Sequence, residues 1–555
     1  MIDLRASLCV VAALAVHGSG CVVKAGTADE PVDAGLEVDG GTDGPVGPTS
    51  CGDVPVTGRC VDATHLETCF VPENADPAHA PEPTVLQREC PPGLVCSDGD
   101  GKAKCQPTGS CRDGDSHCKT KYEVERCVDG AWVVEPCGTS QCVQNPGAQA
   151  TCVANAPSGH GPHLTGNVQY MRRTMRADKS NLGDPAPAPA VGVVASVFDG
   201  DEYLGGAYTG SDGSLDVELS RAPGPDTAVF VFPMYFDEQG KVRLAVVQWG
   251  NPQSEYDLSA SEYWSFGFAT GSSLDVGTLL IGEEDGSGAV NIYETLLYGL
   301  QSAYALHPEV TQQSLAAIWS PGKAHGCGNP ESACYYSNAY GGVVMPYEGG
   351  SDYLQTAIAL PGTDDSPKQW QVSVILHELG HYMMDTYSRA PGVGGPHTLT
   401  DKESPAQAWS EGYATFYGQS TLGHGLYFAK SNGTSWWFQI DHVDSNYFQP
   451  PMPDPEGTMS QPIGELFVGA AMWHLWSGPD VQSGEPWDTA AVGDDRTWRA
   501  LMSSHVTKSY ASRGYGTPDL VDWLDALSCL GVPSSDLHAV LDHYGFPYDY
   551  AAPCP

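Results

Sequence analysis

The sequence predicts a multidomain chain: disulfide-rich repeat modules, then an all-β sandwich, then a C-terminal α+β domain. Three observations predict it. Twelve of the 18 cysteines lie in two sets of six between residues 51 and 152. Apolar residues alternate between glycine-rich turns from about 164 to 282, the period-2 pattern of half-buried strands. Beyond about residue 288, apolar residues recur at helical spacing behind Ser-Pro start signals.

Residues 1–20 have the composition of an export signal, with Arg5, an apolar run from Ala6 to Val16, and Gly18-Ser-Gly20 before Cys21. The run is too short to span a membrane as a helix. Small residues directly before a cysteine are similar to a bacterial lipoprotein cleavage site. Cys21 is thus the expected lipid-bearing residue and the anchor to a membrane, with plain secretion as the alternative. Residues 21–50 are rich in Gly, Asp, Pro and Thr and read as a disordered tether.

The cysteines divide the next stretch into residues 51–106 and 107–155. Cys51, Cys60, Cys69, Cys90, Cys96 and Cys105 are echoed by Cys111, Cys118, Cys127, Cys137, Cys142 and Cys152. Leu66-Glu-Thr-Cys69 is matched by Val124-Glu-Arg-Cys127, so a small module has been duplicated. In an exported chain three disulfides per module are expected, because so short a segment lacks a sizeable core. Spacing leaves their connectivity open. Cys327 with Cys334, and Cys529 with Cys554, are further expected pairs. The modules serve either as spacers or as binding units. Asp98-Gly-Asp-Gly101 has the composition of either a Ca²⁺-binding loop or a plain turn.

Residues 164–284 read as the sandwich. Val191, Val193, Ala195 and Val197 alternate, as do Leu215, Val217 and Leu219 after the turn Ser211-Asp-Gly213. Residues 288–555 form the last domain. Its helices are expected from Val290 to Leu306, from Pro462 to Trp476, after Thr517-Pro-Asp, and from about Asp536 to Tyr544. Leu315-Ala-Ala-Ile-Trp319 and Gly341-Gly-Val-Val-Met-Pro346 read as strands, one of them an open edge able to take up an extended peptide.

The chemistry concentrates at His377-Glu-Leu-Gly-His381. Residues four apart on a helix lie about 40° apart in rotation and about 6 Å along the axis. Both imidazoles can therefore reach one Zn²⁺, with Glu378 at the side to take a proton from a water polarised there. Ser366-Pro-Lys-Gln369 supplies the helix start, with Ser366 as N-cap. A tetrahedral site with one open position needs a third protein ligand. Ser404-Pro-Ala-Gln407 opens a second helix, with Gly418 placed to end it. Within it Glu411 stands among Ala408, Trp409, Tyr413 and Phe416, and a charge in so apolar a stretch requires a partner. Asp385, Asp401 and Glu403 are its rivals. Asp401 and Glu403 are expected in solvent, and Asp385 as a partner to a ligand histidine. His397, in the loop Gly394-Gly-Pro-His397, leads the residues that could stabilise an oxyanion. Tyr413, Tyr417, His474, His505, Tyr510 and Arg513 are the others.

From about residue 290 onward the chain resembles a gluzincin metallopeptidase, the zincin group that contains thermolysin and fungalysin. The resemblance rests on His377-Glu-Leu-Gly-His381, Gly394-Gly-Pro-His397 and Ser410-Glu-Gly-Tyr413. Ile463-Gly-Glu-Leu-Phe-Val-Gly-Ala-Ala-Met-Trp473 is similar to a fungalysin helix. It implies a zincin-like catalytic domain, Zn²⁺ held by His377, His381 and Glu411, and Glu378 as base. One position departs: these proteins often carry Asp four residues after the ligand Glu to orient a histidine, and here Thr415 stands there. Asp385 or another group must then do that work.

Lys and Arg total 26 against 68 Asp and Glu, a net charge of −42. Such a surface repels phosphate, so the expected partners are protein or peptide substrates and not nucleic acid. The expected activity is that of an extracellular or surface-tethered zinc endopeptidase. The alternative is a surface binding or adhesion protein whose zincin domain is inactive.

Overall fold

The computed structural model describes residues 161–200, 202–236, 242–248, 262–307, 313–324, 331–337, 356–392, 401–443, 462–477, 487–508 and 517–550. Elsewhere, from residue 50 onward, it describes isolated positions and the backbone of short strands. The expected signal and tether, the Asp98–Gly101 loop, Cys327, Tyr510 and Arg513 lie outside the described residues.

Both cysteine-bearing stretches carry a three-stranded antiparallel sheet and then a two-stranded hairpin. In the first, Arg59–Cys60, His65–Phe70 and Thr84–Glu89 precede the hairpin of Leu94–Ser97 and Lys104–Pro107. In the second, Ser116–Thr120, Glu123–Val128 and Ala131–Pro136 precede Ser140–Val143 and Thr151–Ala154.

The residues expected to form one sandwich feed three sheets. His163–Arg172 pairs with Ala186–Pro189, Ser214–Glu218 and Asp275–Ile281. Glu202–Tyr208, Val194–Asp199, Thr227–Phe232 and Phe266–Ala269 form a second, antiparallel sheet. Alternation holds where expected: Val193, Ala195 and Val197 are buried, with Val191 only partly so, as are Leu215, Val217 and Leu219. The turn before Ser214–Glu218 uses Gly213 at φ +77°, which a Cβ disfavours.

The expected boundary near residue 288 does not separate the sheets. Met234–Phe236, Val242–Gln248 and Glu262–Tyr263 belong to a six-stranded mixed sheet with Leu315–Trp319, Ala357–Leu360 and Cys334–Tyr336. Val242–Gln248, Leu315–Trp319 and Ala357–Leu360 run parallel. Every residue of the last two is buried, as required of strands covered on both faces. The run Leu244-Ala-Val-Val247 is apolar for the same reason, being the sheet's next strand and not half of an isolated hairpin. Leu315–Trp319 is therefore central, and Cys334–Tyr336 ends the sheet order. Val343–Tyr347 is a strand, but it pairs with Gly350–Leu354 outside this sheet.

The helix Gly288–Leu306 shares a hydrophobic core with both the sandwich strands and the later helices. Tyr170 hydroxyl donates to Glu294 Oε2 at 2.8 Å, and the Val191 N–H donates to Oε1. Arg173 donates twice to Glu283, at 2.6 and 2.9 Å. After the helices Val372–Tyr387 and Pro405–Leu422 come Glu465–Trp476, Gly493–Leu501, Ser504–Thr507, Leu520–Cys529 and Ser534–His543. Asp519 caps Leu520–Cys529 with a capping box completed by Asp522. Cys529 is bonded to Cys554, with Cα atoms 5.4 Å apart, and Cys334 is also disulfide-bonded. Among the described residues no helix is long and apolar enough to cross a membrane.

Candidate metal centre

The helix carrying His377 and His381 runs Val372–Tyr387. Ser366 does not cap it: Ser366 is fully buried, and Lys368–Trp370 forms a separate 3₁₀ turn that breaks at Gln371. Lys368 is drawn inward, where Nζ donates to Lys430 O at 2.9 Å, Ser431 Oγ at 2.6 Å and Gln371 Oε1 at 3.4 Å. Burial lowers its pKa to about 8, against a smaller upward pull from Glu378 and Glu331. These bonds tie the hairpin Leu426–Ser431/Thr434–Gln439 to the start of the helix.

The helix carrying Glu411 runs Pro405–Leu422. Its start is as expected, with Ser404 Oγ accepting from the Gln407 N–H at 3.2 Å and Pro405 in the first turn. Its end is not: the helix continues past Gly418 to Gly423 at φ +68°. Gly418 instead lets the backbone pass close to the first helix, since a Cβ there would lie 3.2 Å from His377 N. Two motif glycines work the same way. A Cβ on Gly380 would meet Ala414 Cα at 2.7 Å, and one on Gly412 would meet Val468 Cβ at 2.5 Å and Glu465 O at 2.6 Å. The three helices bearing His377, Glu411 and Glu465 are thereby stacked in direct contact.

That stacking brings three donor atoms together. Glu411 Oε2 lies 3.1 Å from His377 Nε2 and 3.3 Å from His381 Nε2, and the two Nε2 atoms are 3.2 Å apart. Tetrahedral zinc bonds of 2.0–2.1 Å imply ligand separations of roughly 3.3 Å. A triangle of this size, with two imidazoles and one carboxylate, therefore fits zinc. The side chains keep 13%, 16% and 12% of their surface exposed, so the site communicates with solvent. Burial works against charge on Glu411. His397, His381 and the hydrogen bond from His377 outweigh it and hold the carboxylate well below its usual range. Burial likewise opposes charge on His381, but Glu411 and Glu378 raise its pKa overall. Glu378 is buried, which pushes its carboxyl upward; His377 and His381 pull the other way.

His397 joins this group from the intervening loop. Its Nε2 is 3.6 Å from Glu411 Oε1, and its Nδ1 is 2.7 Å from Glu465 Oε2. Burial disfavours its charge, yet Glu411 and Glu465 together raise its pKa well above the ordinary value. Among the described residues the other oxyanion candidates go elsewhere. Tyr413 is buried, Tyr417 hydroxyl donates to Gly299 O at 3.1 Å, His474 Nδ1 lies 3.0 Å from Asp488 Oδ2, and His505 faces Cys529.

Two further expectations change. Asp385 accepts from Tyr335 hydroxyl at 2.8 Å. The two histidines lean on hydroxyls instead: Thr415 Oγ1 is 3.1 Å from His377 Nδ1, and Ser410 Oγ is 3.3 Å from His381 Nδ1. Glu403 is buried and not solvated, because Lys402–Glu403 pairs with Ile463–Gly464. Its carboxylate falls within 4.8 Å of donor atoms of His397 and Glu465. Asp401 is exposed, as expected. Glu465 was legible only as part of an apolar helix; its place at the first turn, reaching back to His397, depends on the strand pair that precedes it. On the hairpin side Tyr427 meets His377 edge-on at 6.3 Å and stacks with Trp436 and Phe438, which makes an apolar wall beside the donor triangle.

Two histidines on one helix and a carboxylate from the next thus form a three-donor group able to hold a metal ion. Residues 313–517 match the family model described as the Mycolysin C-terminal domain, a stretch that includes all three donors, Glu378, His397 and Glu465. At that level of description the match supports a peptidase acting on protein or peptide and is consistent with zinc. No curated protein matches the chain.

Proposed function

We propose that the protein is an exported zinc-dependent endopeptidase. The observation that carries this reading is the convergence of His377, His381 and Glu411 on one point, with Glu378 adjacent to the first of them on the same helix. When bound, zinc would supply Lewis-acid polarisation of a substrate carbonyl and of water. Glu378 takes the proton of the attacking water and returns it to the departing amine as the C–N bond breaks. Its burial favours that role by raising its proton affinity. His397, whose charged form Glu465 favours, would donate from Nε2 to the carbonyl oxygen as negative charge develops there. Glu465 fixes the ring by accepting from Nδ1.

Export is supported by the signal-like residues 1–20, by the cysteine usage, and by the acidic surface. Cys21 is proposed as a lipid attachment point that leaves residues 21–50 as the tether. Residues 51–155 are proposed as two copies of one module, ahead of the sandwich and the catalytic domain.

The test is the Glu378→Gln chain beside wild type. Wild type is expected to carry one zinc per molecule and to cleave an unfolded protein such as casein. The variant should keep the zinc and lose cleavage. Retained turnover would remove Glu378 as base. A zinc-loaded wild type without turnover would favour the binding-protein reading.

A further inference from the structure

His377 and His381 each turn Nε2 toward Glu411, and a nitrogen that binds a cation carries no proton. The ring proton then resides on Nδ1, so each Nδ1–H donates backward. What it meets is a neutral oxygen in both cases: Thr415 Oγ1 behind His377 and Ser410 Oγ behind His381. Both hydroxyls come from the Glu411 helix, one residue before the ligand carboxylate and four after it. Both are buried, and the close helix contact at Gly380 and Ala414 sets their reach. A carboxylate behind a metal-binding imidazole raises the basicity of the ring and adds negative charge near the cation. A hydroxyl fixes the same tautomer and orientation but adds no charge. The donor set keeps a net charge of −1, all of it on Glu411.

We propose that Ser410 and Thr415 are positioning residues that lock the metal-binding tautomer of His381 and His377 while withholding charge, leaving a centre that exchanges its cation more readily than a carboxylate-backed one. The proposal rests on the zinc-site reading above. It predicts that metal affinity, and not only turnover, responds to changes at these two positions.

The experiment uses the full chain loaded with zinc. Affinity is measured by competition with a chromogenic chelator, and the rate of zinc loss into excess EDTA is followed in parallel. Thr415→Val and Ser410→Ala should each weaken zinc binding about 10–100-fold. Thr415→Ser, which keeps the hydroxyl, should remain near wild type, and Thr415→Asp should release zinc more slowly than wild type. If Thr415→Val folds natively by circular dichroism and binds zinc as tightly as wild type, the positioning role is overturned. The same holds if Thr415→Ser loses as much affinity as Thr415→Val. A Thr415→Asp chain that releases zinc as fast as wild type overturns the withheld charge. If Thr415→Val does not fold, Ser410→Ala and Thr415→Ser decide the matter. Wild type that takes up no zinc would instead sink the metal-site reading itself, and this inference with it.

Discussion

His397 Nδ1 lies 2.7 Å from Glu465 Oε2, a contact that joins the loop between the ligand helices to the first turn of the third helix. It leaves Nε2 facing Glu411. If His397 donates to the developing oxyanion, His397→Ala should lower kcat by about 10²-fold or more, with zinc content unchanged. Glu465→Gln should lower kcat by less, with little effect on KM, because the ring stays in place but loses the charge that favours its protonation. Steady-state kinetics on a fluorogenic peptide check this. A Glu465→Gln chain with wild-type kcat would show the contact to be structural only.

Glu294 couples pH to stability away from the His377–His381–Glu411 group. Burial raises its carboxyl to about 7, partly offset by the Val191 N–H and Tyr170 hydroxyl. The folded state therefore binds a proton more tightly than the unfolded chain, so stability falls as pH rises from the ordinary carboxylate range through about 7. The difference is on the order of 3 kcal/mol across that window. Urea unfolding of wild type and Glu294→Gln from pH 5 to 8 should show a wild-type deficit that grows with pH. A constant difference between the two would refute it.

Gly412→Ala should be poorly tolerated. The added methyl would lie 2.5 Å from Val468 Cβ and 2.6 Å from Glu465 O, in a core with no room to move. Overpacking of this kind costs about 1–3 kcal/mol, and here it also separates the helix of Glu411 from that of Glu465. Thermal unfolding together with zinc affinity reports both effects, and an unchanged Tm would contradict the close approach.

The Cys529–Cys554 bond spans 25 residues and secures the segment that follows Ser534–His543. Replacing both cysteines by serine should cost about 3 kcal/mol, seen as a lower midpoint in guanidinium. Zinc stoichiometry should be retained, because neither residue belongs to the donor set.

Much of the site could be read in advance because it is local. His377 and His381 are one helical turn apart, so the backbone period alone puts them on one face. Ser404 and Pro405 announce a helix start through backbone N–H groups within the same few residues. The failures are all non-local. Ser366 has the same signature as Ser404, yet a hairpin some sixty residues later captures Lys368 and Gln371 and moves the start to Val372. Gly418 has the look of a helix stop, but the neighbouring helix needs the space it leaves. Met234–Phe236 and Val242–Gln248 pair with each other as neighbours in sequence, but the strand on the other side of Val242–Gln248 is Leu315–Trp319, some seventy residues later.

From the sequence alone came the histidine pair, the glutamate beside it, the buried charge of Glu411 in need of a partner, and the strand-then-helix order of the C-terminal half. These are carried by spacing within single elements. Tertiary structure alone decided that Thr415 and Ser410 back the imidazoles, that Asp385 serves Tyr335, and that Glu465 holds His397. Each of those choices depends on how closely two helices approach. That distance is set by glycines whose neighbours lie tens of residues away in the chain.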